Sequence, residues 1–213
     1  MKIAYFDCFS GISGDMTLGA FIDAGLSFKT LSNELAKLRI KNYSLKRLRT
    51  FRGGVSGTGF KCVAEDGAHS RAFKEIISII KKSTLDSRVK NTAVYIFENI
   101  IAAESKIHGI KKGNDARLHE LGSIDSIVDI VGTAIAVNEL GIDEIYASPV
   151  TTGRGSVMTE HGWLPVPAPA TLELLKGIPV NMSGPLHELV TPTGAAILKT
   201  LVKSFGTVPG MKV

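Results

Sequence analysis

Apolar residues recur every three to four positions along several stretches of the chain, a spacing that predicts helices. These stretches are MTLGAFIDAGL, SFKTLSNELAKL, RAFKEIISIIKKS, SRVKNTAVYIFENIIAAESKIHG, IDSIVDIVGTAIAVNEL, ATLELLKG and PTGAAILKTLVKSF. Ser27 or Thr30 is a candidate N-cap for the second stretch, and Ser123 is one for the fifth. Shorter apolar or alternating runs predict strands in KIAYF, YSLKRLRTF, VSGTGFKCVAE and DEIYASPV. The second and third of these runs flank Arg52-Gly53-Gly54, which predicts a hairpin.

Two stretches follow neither spacing. IKKGNDARLHELGS is predicted to be a polar connector, and the proline- and glycine-rich TTGRGSVMTEHGWLPVPAPA is predicted to be an irregular loop. Helices and strands alternate without strict regularity, which predicts an α/β (α+β) fold with a mixed β-sheet and helices packed on it. A single domain is predicted over residues 1–213, with a division into two lobes near residues 66–70 as the alternative.

The composition is that of a folded protein, since 44% of the residues are hydrophobic and 21% are charged. No apolar run reaches the ~18 residues that a membrane span needs. The start, MKIAYFDC, meets Asp7 too early for a signal peptide, so a cytoplasmic protein is expected. Cys8 and Cys62 lack the spacing of a metal or redox motif and are expected to be reduced thiols.

The net charge of +5 is unevenly distributed. Residues 1–90 carry sixteen Lys and Arg against eight Asp and Glu, whereas residues 91–213 carry nine against twelve. The basic half lacks interleaved aromatic residues and any recognised nucleic-acid motif, so it indicates a field that favours small anionic ligands. The acidic half is where a cation is expected.

The strongest chemical signal lies in and before IDSIVDIVGTAIAVNEL, a helix so apolar that it is expected to be buried. Asp129 lies within it, and Asp125 lies four residues earlier on the same face. A buried carboxylate is costly unless a cation or hydrogen-bond donors meet it. Imidazole and carboxylate ligands suit Ni, Zn, Mn or Fe, so a metal centre is predicted, with Asp125 and Asp129 as the candidate catalytic residues. The candidate metal ligands are His119, Glu120, Asp125, Asp129 and His161.

Each of these residues also has a plainer interpretation. The helix dipole alone can stabilise Asp125 in a first turn. Asp129 can accept hydrogen bonds from a neighbouring loop, and His119 can be a satisfied polar residue. The prediction of a metal centre depends on four such groups occurring within eleven residues.

Two loops precede predicted helices and can point backbone N–H groups at an anion. SGISGD follows the first predicted strand, and LVTPTGAA places Thr191 as an N-cap before Pro192. Neither matches a known phosphate-binding motif, and a plain capped turn is the alternative for each. The candidate substrate-binding residues in these loops are Ser10, Gly11, Ser13, Gly14, Thr191 and Thr193.

The predicted irregular loop adds Arg154, which lies between two glycines and is a further candidate for binding a phosphate or carboxylate. Glu160 and His161 add metal-ligating side chains to the same stretch. Long ordered loops tend to be functional, although Arg154 can equally be a surface arginine.

Four motifs in order resemble the LarC family, the nickel insertion proteins of nickel-pincer cofactor biosynthesis. They are DCFSGISGDMTLGAFIDAG, HELGSIDSIVDIVG, GRG followed by HGWLPVPAPATLELLKG, and ELVTPTGAAIL. The resemblance runs from residue 3 to about residue 198. It implies a nickel chelatase of the lyase class that inserts Ni²⁺, as a substrate, into pyridinium-3,5-bisthiocarboxylic acid mononucleotide.

The resemblance also implies that CTP, with Mg²⁺ or Mn²⁺, is used by a further C-terminal region. This chain, ending at Val213, is expected to lack that region. The expected partners are the nucleotide-like substrate, that C-terminal region or a separately encoded equivalent, and a second copy of the chain, but neither nucleic acid nor membrane. The family often has a histidine-rich tract before the helix starting near Arg71, where this sequence has only His69.

Two other functions stay open at this point. One is a non-enzymatic nickel carrier that delivers the ion to a partner. The other is a metal-dependent phosphohydrolase built on Asp7, Asp15, Asp125 and Asp129.

Overall fold

The computed structural model describes residues 1–64, 71–109 and 119–212. The described helices are α1 (Gly14–Asp23), α2 (Phe28–Ala36), α3 (Phe73–Lys82), α4 (Ser87–Ile107), α5 (Ile124–Glu139), α6 (Pro169–Leu174) and α7 (Pro192–Leu201). A short 3₁₀ helix spans His119–Gly122. The predicted lobe boundary and most of the predicted polar connector lie outside the described residues, so the division into domains stays a prediction.

The strands form several small sheets. They are β1 (Ile3–Phe6), β2 (Tyr43–Arg52), β3 (Val55–Ala64), β4 (Glu144–Ala147), β5 (Val150–Thr151), β6 (Ser156–Thr159), β7 (Gly162–Pro165), β8 (Val180–Asn181) and β9 (Val202–Phe205). Strands β1, β4 and β9 form a parallel sheet in that order, and β5 pairs with β8 in parallel. The antiparallel pairs are β2–β3 and β6–β7. The predicted α/β class is confirmed, with the parallel and antiparallel strands in separate sheets.

Helix α5 occupies the centre of the core, as its apolar sequence predicted. Its side chains from Ile124 to Ala136 are buried except for Asp125, and it packs against α1, α2, α4, α7 and β3. Ile127, Ile130 and Ile135 are fully buried. Burial of a side chain of this size stabilises the fold by about 1.5–3 kcal/mol, so α5 anchors the elements around it.

Serine and threonine caps fix where several helices begin. Ser13, Ser27, Ser123 and Thr191 are the N-caps of α1, α2, α5 and α7, and each side chain accepts a backbone N–H from its first turn. The predictions for Ser123 and Thr191 are confirmed, and Ser27 rather than Thr30 caps α2.

Three predicted boundaries are wrong. The stretch after Thr151 is not an irregular loop, because it contains the β6–β7 hairpin. The last predicted helix ends at Leu201, and Val202 begins β9 by pairing with Ile145. The single strand predicted in DEIYASPV is two strands, β4 and β5, separated at Pro149, which has no backbone N–H to donate.

Among the described residues, no helix is both long enough and apolar enough to span a membrane.

Candidate metal and anion site

The carboxyl group of Asp129 lies inside the protein, against the start of α1. The residue is only 5% exposed, and its Oδ1 is buried with no hydrogen-bond partner among the described residues. The backbone N–H of Asp15 donates to this carboxyl group. A Cβ atom added to Gly14 would lie 2.5 Å from the Asp129 Oδ2, so only glycine lets the α1 backbone approach so closely.

Two further carboxylates lie close enough to act on Asp129. Burial, followed by the charges of Asp125 and Asp15, raises the pKa of Asp129 to about 8. Asp125 is exposed at the start of α5, yet partial burial and Asp15 raise its pKa, while Lys61 lowers it. The structure therefore brings the two predicted aspartates together and adds Asp15, so the site attracts a cation.

A thiol faces the same carboxylates from strand β3. Cys62 is buried, and burial together with the charges of Asp125 and Asp129 raises its pKa to about 12. The thiol is therefore neutral at physiological pH unless a bound cation displaces its proton. From the sequence, Cys62 was predicted only to be a reduced thiol. Its carboxylate neighbours become visible only through the packing of β3 on α5.

Of the other three predicted metal ligands, only His161 has a described side chain. His119 and Glu120 begin the 3₁₀ helix, but their side chains lie outside the described residues. The His161 ring contacts the ring of His108 beside a separate cavity. Among the described side chains, no three His, Cys, Asp or Glu residues are arranged to hold one metal ion. An ion at Asp125 and Asp129 would thus need donors from a substrate or from residues beyond those described.

The two predicted anion loops lie side by side. Gly11, with φ of 79°, lets the SGISGD loop turn beneath Leu189. The N–H of Ile12 donates to the Leu189 carbonyl at 2.9 Å, and the N–H of Thr191 donates to the Ile12 carbonyl at 3.1 Å. These bonds hold the N-termini of α1 and α7 next to each other, where both helix dipoles favour an anion.

The hydroxyl groups at these N-termini are differently placed. Ser10 is exposed, Ser13 donates to the carboxylate of Asp15, and Thr191 and Thr193 share a hydrogen bond of 2.8 Å between their Oγ1 atoms. Gly14 is buried under Asp129. The structure thus collects the predicted residues of both loops at one edge of the aspartate site.

Arg154 lies on the segment that pairs with the chain leading into α7, where Gly153 bridges to Glu188. Its Nε donates to the Gly184 carbonyl at 3.0 Å, and its backbone N–H donates to Pro185, six residues before Thr191. The guanidinium is exposed and oriented by that carbonyl. Its role in binding an anion stays a prediction.

Glu104 and His108 were missed by the sequence analysis. Glu104 is buried in α4, and its Oε2 lies 3.3 Å from the His108 Nε2 one turn later. The spacing of four residues was visible in the sequence. The contact between His108 and His161 was not visible in the sequence, because it joins residues more than fifty positions apart.

The fold and the site define an α/β protein with a buried carboxylate cluster beside two paired helix N-termini. Comparison with known sequences places it more narrowly, since residues 4–213 match the family described as nickel insertion protein. The chain belongs to this family. No solved structure matches the chain.

Three relatives show how far the similarity extends. A putative nickel insertion protein of Syntrophobacter fumaroxidans is 50% identical over 213 residues, which cover 100% of this chain and 54% of that protein. Two proteins named pyridinium-3,5-bisthiocarboxylic acid mononucleotide nickel insertion protein also match. The one from Geobacillus kaustophilus is 47% identical over 100% of this chain and 54% of its own length, and the one from Desulfitobacterium hafniense is 46% identical over 100% and 53%. The chain therefore spans about half the length of the curated relatives it matches.

Proposed function

We propose that this chain takes part in inserting nickel into pyridinium-3,5-bisthiocarboxylic acid mononucleotide, the reaction named for two of its relatives. The observation that carries the proposal is the buried Oδ1 of Asp129, for which the described part of the chain supplies no hydrogen-bond partner. A carboxylate in this position is stabilised by a cation, and Asp15 and Asp125 add negative charge around it. Asp125 and Asp129 are the proposed nickel-binding and catalytic residues.

The raised pKa of Asp129 suggests how nickel is bound and released. With a pKa of about 8, the empty site holds a proton at neutral pH. An arriving Ni²⁺ replaces that proton, and a returning proton favours release. The burial that raises the pKa thus makes the site a temporary holder of the ion.

The chemistry of the acceptor suits this transfer. Two carboxylates leave several positions of nickel open, and the thiocarboxylate sulfurs of the substrate can occupy them while the oxygen ligands are still bound. The phosphate of the mononucleotide is proposed to bind at the neighbouring N-termini of α1 and α7. The residues proposed to line that position are Ser10, Gly11, Ser13, Gly14, Thr191 and Thr193. Arg154, His119, Glu120 and His161 stay candidates for contacts to substrate or metal.

The remaining parts of the proposal concern the whole reaction. It belongs to the lyase class and uses CTP with Mg²⁺ or Mn²⁺, through a region that the relatives have in addition to the part matched here. A self-associated chain is also part of the proposal. The second candidate is a nickel carrier without turnover of its own, which the same carboxylate site at Asp125 and Asp129 would serve.

The test of the site compares two carboxylate variants of α5. Asp129→Asn is expected to abolish Ni²⁺ binding, measured by calorimetry on the 213-residue chain, because the amide cannot carry the neutralising charge. Glu139→Gln, at the exposed end of the same helix, is the matched control and should bind as the unaltered chain does. Unchanged nickel affinity in Asp129→Asn would sink the proposed site.

Turnover separates the candidate functions. The chain is mixed with Ni²⁺, CTP, Mg²⁺ and the bisthiocarboxylic acid mononucleotide, with and without the remaining part of a relative. Product formed in either mixture supports insertion, whereas nickel binding without product in both supports the carrier. Release of inorganic phosphate from the mononucleotide would instead indicate the phosphohydrolase.

A further inference from the structure

A cavity of about 310 Å³ opens between the end of α4, the 3₁₀ helix and the β6–β7 hairpin. Leu121, Leu164, Ala168 and Pro169 give it apolar walls. Its polar lining comes mainly from His108, His161, Glu104 and Glu160. None of these four belongs to the aspartate site, so the cavity has chemistry of its own.

The two imidazole rings meet at the edge of this cavity. Their centres lie 4.9 Å apart with a tilt of 50° between the ring planes. When two histidines bind one metal, each metal–nitrogen bond is about 2.1 Å long and the nitrogen–metal–nitrogen angle is roughly 90–110°. This geometry places the two ring centres about 5 Å apart. The observed separation falls in this range, so one ion can bridge the pair when a nitrogen of each ring faces it.

Glu104 supplies the support that a metal-binding histidine usually has. Glu104 is 9% exposed, and its Oε2 lies 3.3 Å from the His108 Nε2. A carboxylate beside one ring nitrogen fixes the orientation of the ring and makes the imidazole a stronger ligand. The backbone of His161 is held in the β6–β7 turn, where its backbone N–H donates to the Thr159 Oγ1 at 3.1 Å.

We propose that His108 and His161 form a second metal site, for a divalent transition ion such as Ni²⁺, with Glu104 as the positioning residue. Each histidine gives one nitrogen, and the cavity leaves room for water or an incoming ligand at the other positions. A site with two protein ligands agrees with the absence of a three-ligand group among the described side chains. Imidazole binds nickel more strongly than oxygen ligands alone, so this site is occupied first when nickel is scarce.

Binding of an ion here does not depend on the proposed function, whereas the role of the site in delivery rests on it. The cavity also touches Leu121, in the 3₁₀ helix just before α5, and Pro192, the first residue of α7. The histidine pair and the aspartates are therefore at the same ends of these two helices. That placement suits transfer from one site to the other within a single chain.

The experiment titrates the 213-residue chain with Ni²⁺ alone and follows both stoichiometry and X-ray absorption. The unaltered chain is expected to bind two ions, one of them with the scattering signature of imidazole. The double variant H108Q/H161Q should lose the imidazole-bound ion and keep the other, and Asp129→Asn should do the reverse. His187→Gln, at an exposed position outside the cavity lining, is the matched control and should change neither.

Glu104→Gln tests the site while retaining both histidines. It should weaken the imidazole-bound ion by 10–100-fold (roughly) while leaving the number of bound nitrogens unchanged. Unchanged stoichiometry and absorption in the folded H108Q/H161Q variant, or unchanged affinity in Glu104→Gln, would overturn the proposal. If Asp129→Asn still binds both ions while the other variants behave as expected, the aspartate site is wrong and the histidine site is retained.

Discussion

At the scale of single residues, Asp129 is where burial and charge conflict most directly. Its carboxyl group is enclosed by α1 and surrounded by Asp15 and Asp125, so ionisation in the metal-free protein is unfavourable. The single N–H from Asp15 offsets only part of that cost. The protein accepts a destabilising group at its centre, which is typical of functional sites.

This conflict predicts how stability depends on pH. The pKa of Asp129 is raised from 3.8 to about 8 in the folded state, so the folded protein binds more protons than the unfolded chain between these values. The contribution of Asp129 to the free energy of unfolding is thus fully present below about pH 4 and is lost as the pH rises through about 8. The expected slope is roughly −1.4 kcal/mol per pH unit within this window.

Urea unfolding of the metal-free chain at pH 5 to 9, with chelator present, measures this slope. Asp129→Asn should be less sensitive to pH than the unaltered chain across the window, because the amide does not titrate. Equal slopes in the two proteins would contradict the raised pKa.

At the scale of elements, the arrangement that matters most is the pairing of the α1 and α7 N-termini. Ser13 and Thr191 cap these helices, and the loop hydrogen bonds at Ile12 keep them adjacent. Two helix N-termini facing the same space attract an anion more strongly than one. The caps therefore contribute to stability and to the proposed phosphate position at once.

Comparing two caps separates these contributions. Thr191→Ala and Ser27→Ala each remove a side chain that accepts a first-turn N–H, at 3.2 and 3.3 Å respectively. Each should cost about 1 kcal/mol in urea unfolding. Only Thr191→Ala should weaken binding of a pyridinium mononucleotide that lacks thiocarboxylates, since α2 begins away from the paired loops. Equal loss of mononucleotide binding in both variants would argue against the phosphate position.

Local patterns predicted most elements and failed where distant contacts decide. The apolar period of α5 and the cap at Ser123 identify that helix from sequence alone. Val202 and Phe205 keep a spacing of three residues, which looks helical, and only the edge of β4 makes them a strand. The prolines of the stretch after Thr151 hid a hairpin whose cross-strand pairs include Met158 with Trp163.

At the scale of the whole molecule, the site is assembled from both charge halves of the chain. Asp15 and Lys61 come from the basic half, whereas Asp125 and Asp129 come from the acidic half. The sequence could predict Asp125 and Asp129 as a pair because one helix turn separates them. The phosphohydrolase alternative had already grouped Asp15 with them. The sequence could not predict Cys62 or the pairing of His108 with His161, since those depend on how β3 and the β6–β7 hairpin pack.

The peptide between Gly14 and Asp15 belongs to both proposed binding positions. It lies at the capped start of α1, where the phosphate is expected, and its N–H donates to the Asp129 carboxyl group. A cation and an anion on its two sides attract each other and favour the same backbone position. Nickel and mononucleotide should therefore bind cooperatively, by a factor of 5–150 (roughly) that is identical in both directions.

Calorimetry checks this by titrating nickel with and without the mononucleotide lacking thiocarboxylates, and the mononucleotide with and without nickel. Independent affinities would show that the peptide transmits nothing between the two positions. Reciprocal coupling has a consequence for order: a chain holding only one of its two ligands releases it readily, and a chain holding both retains them. One backbone amide would thereby direct scarce nickel preferentially to chains on which an acceptor is already bound.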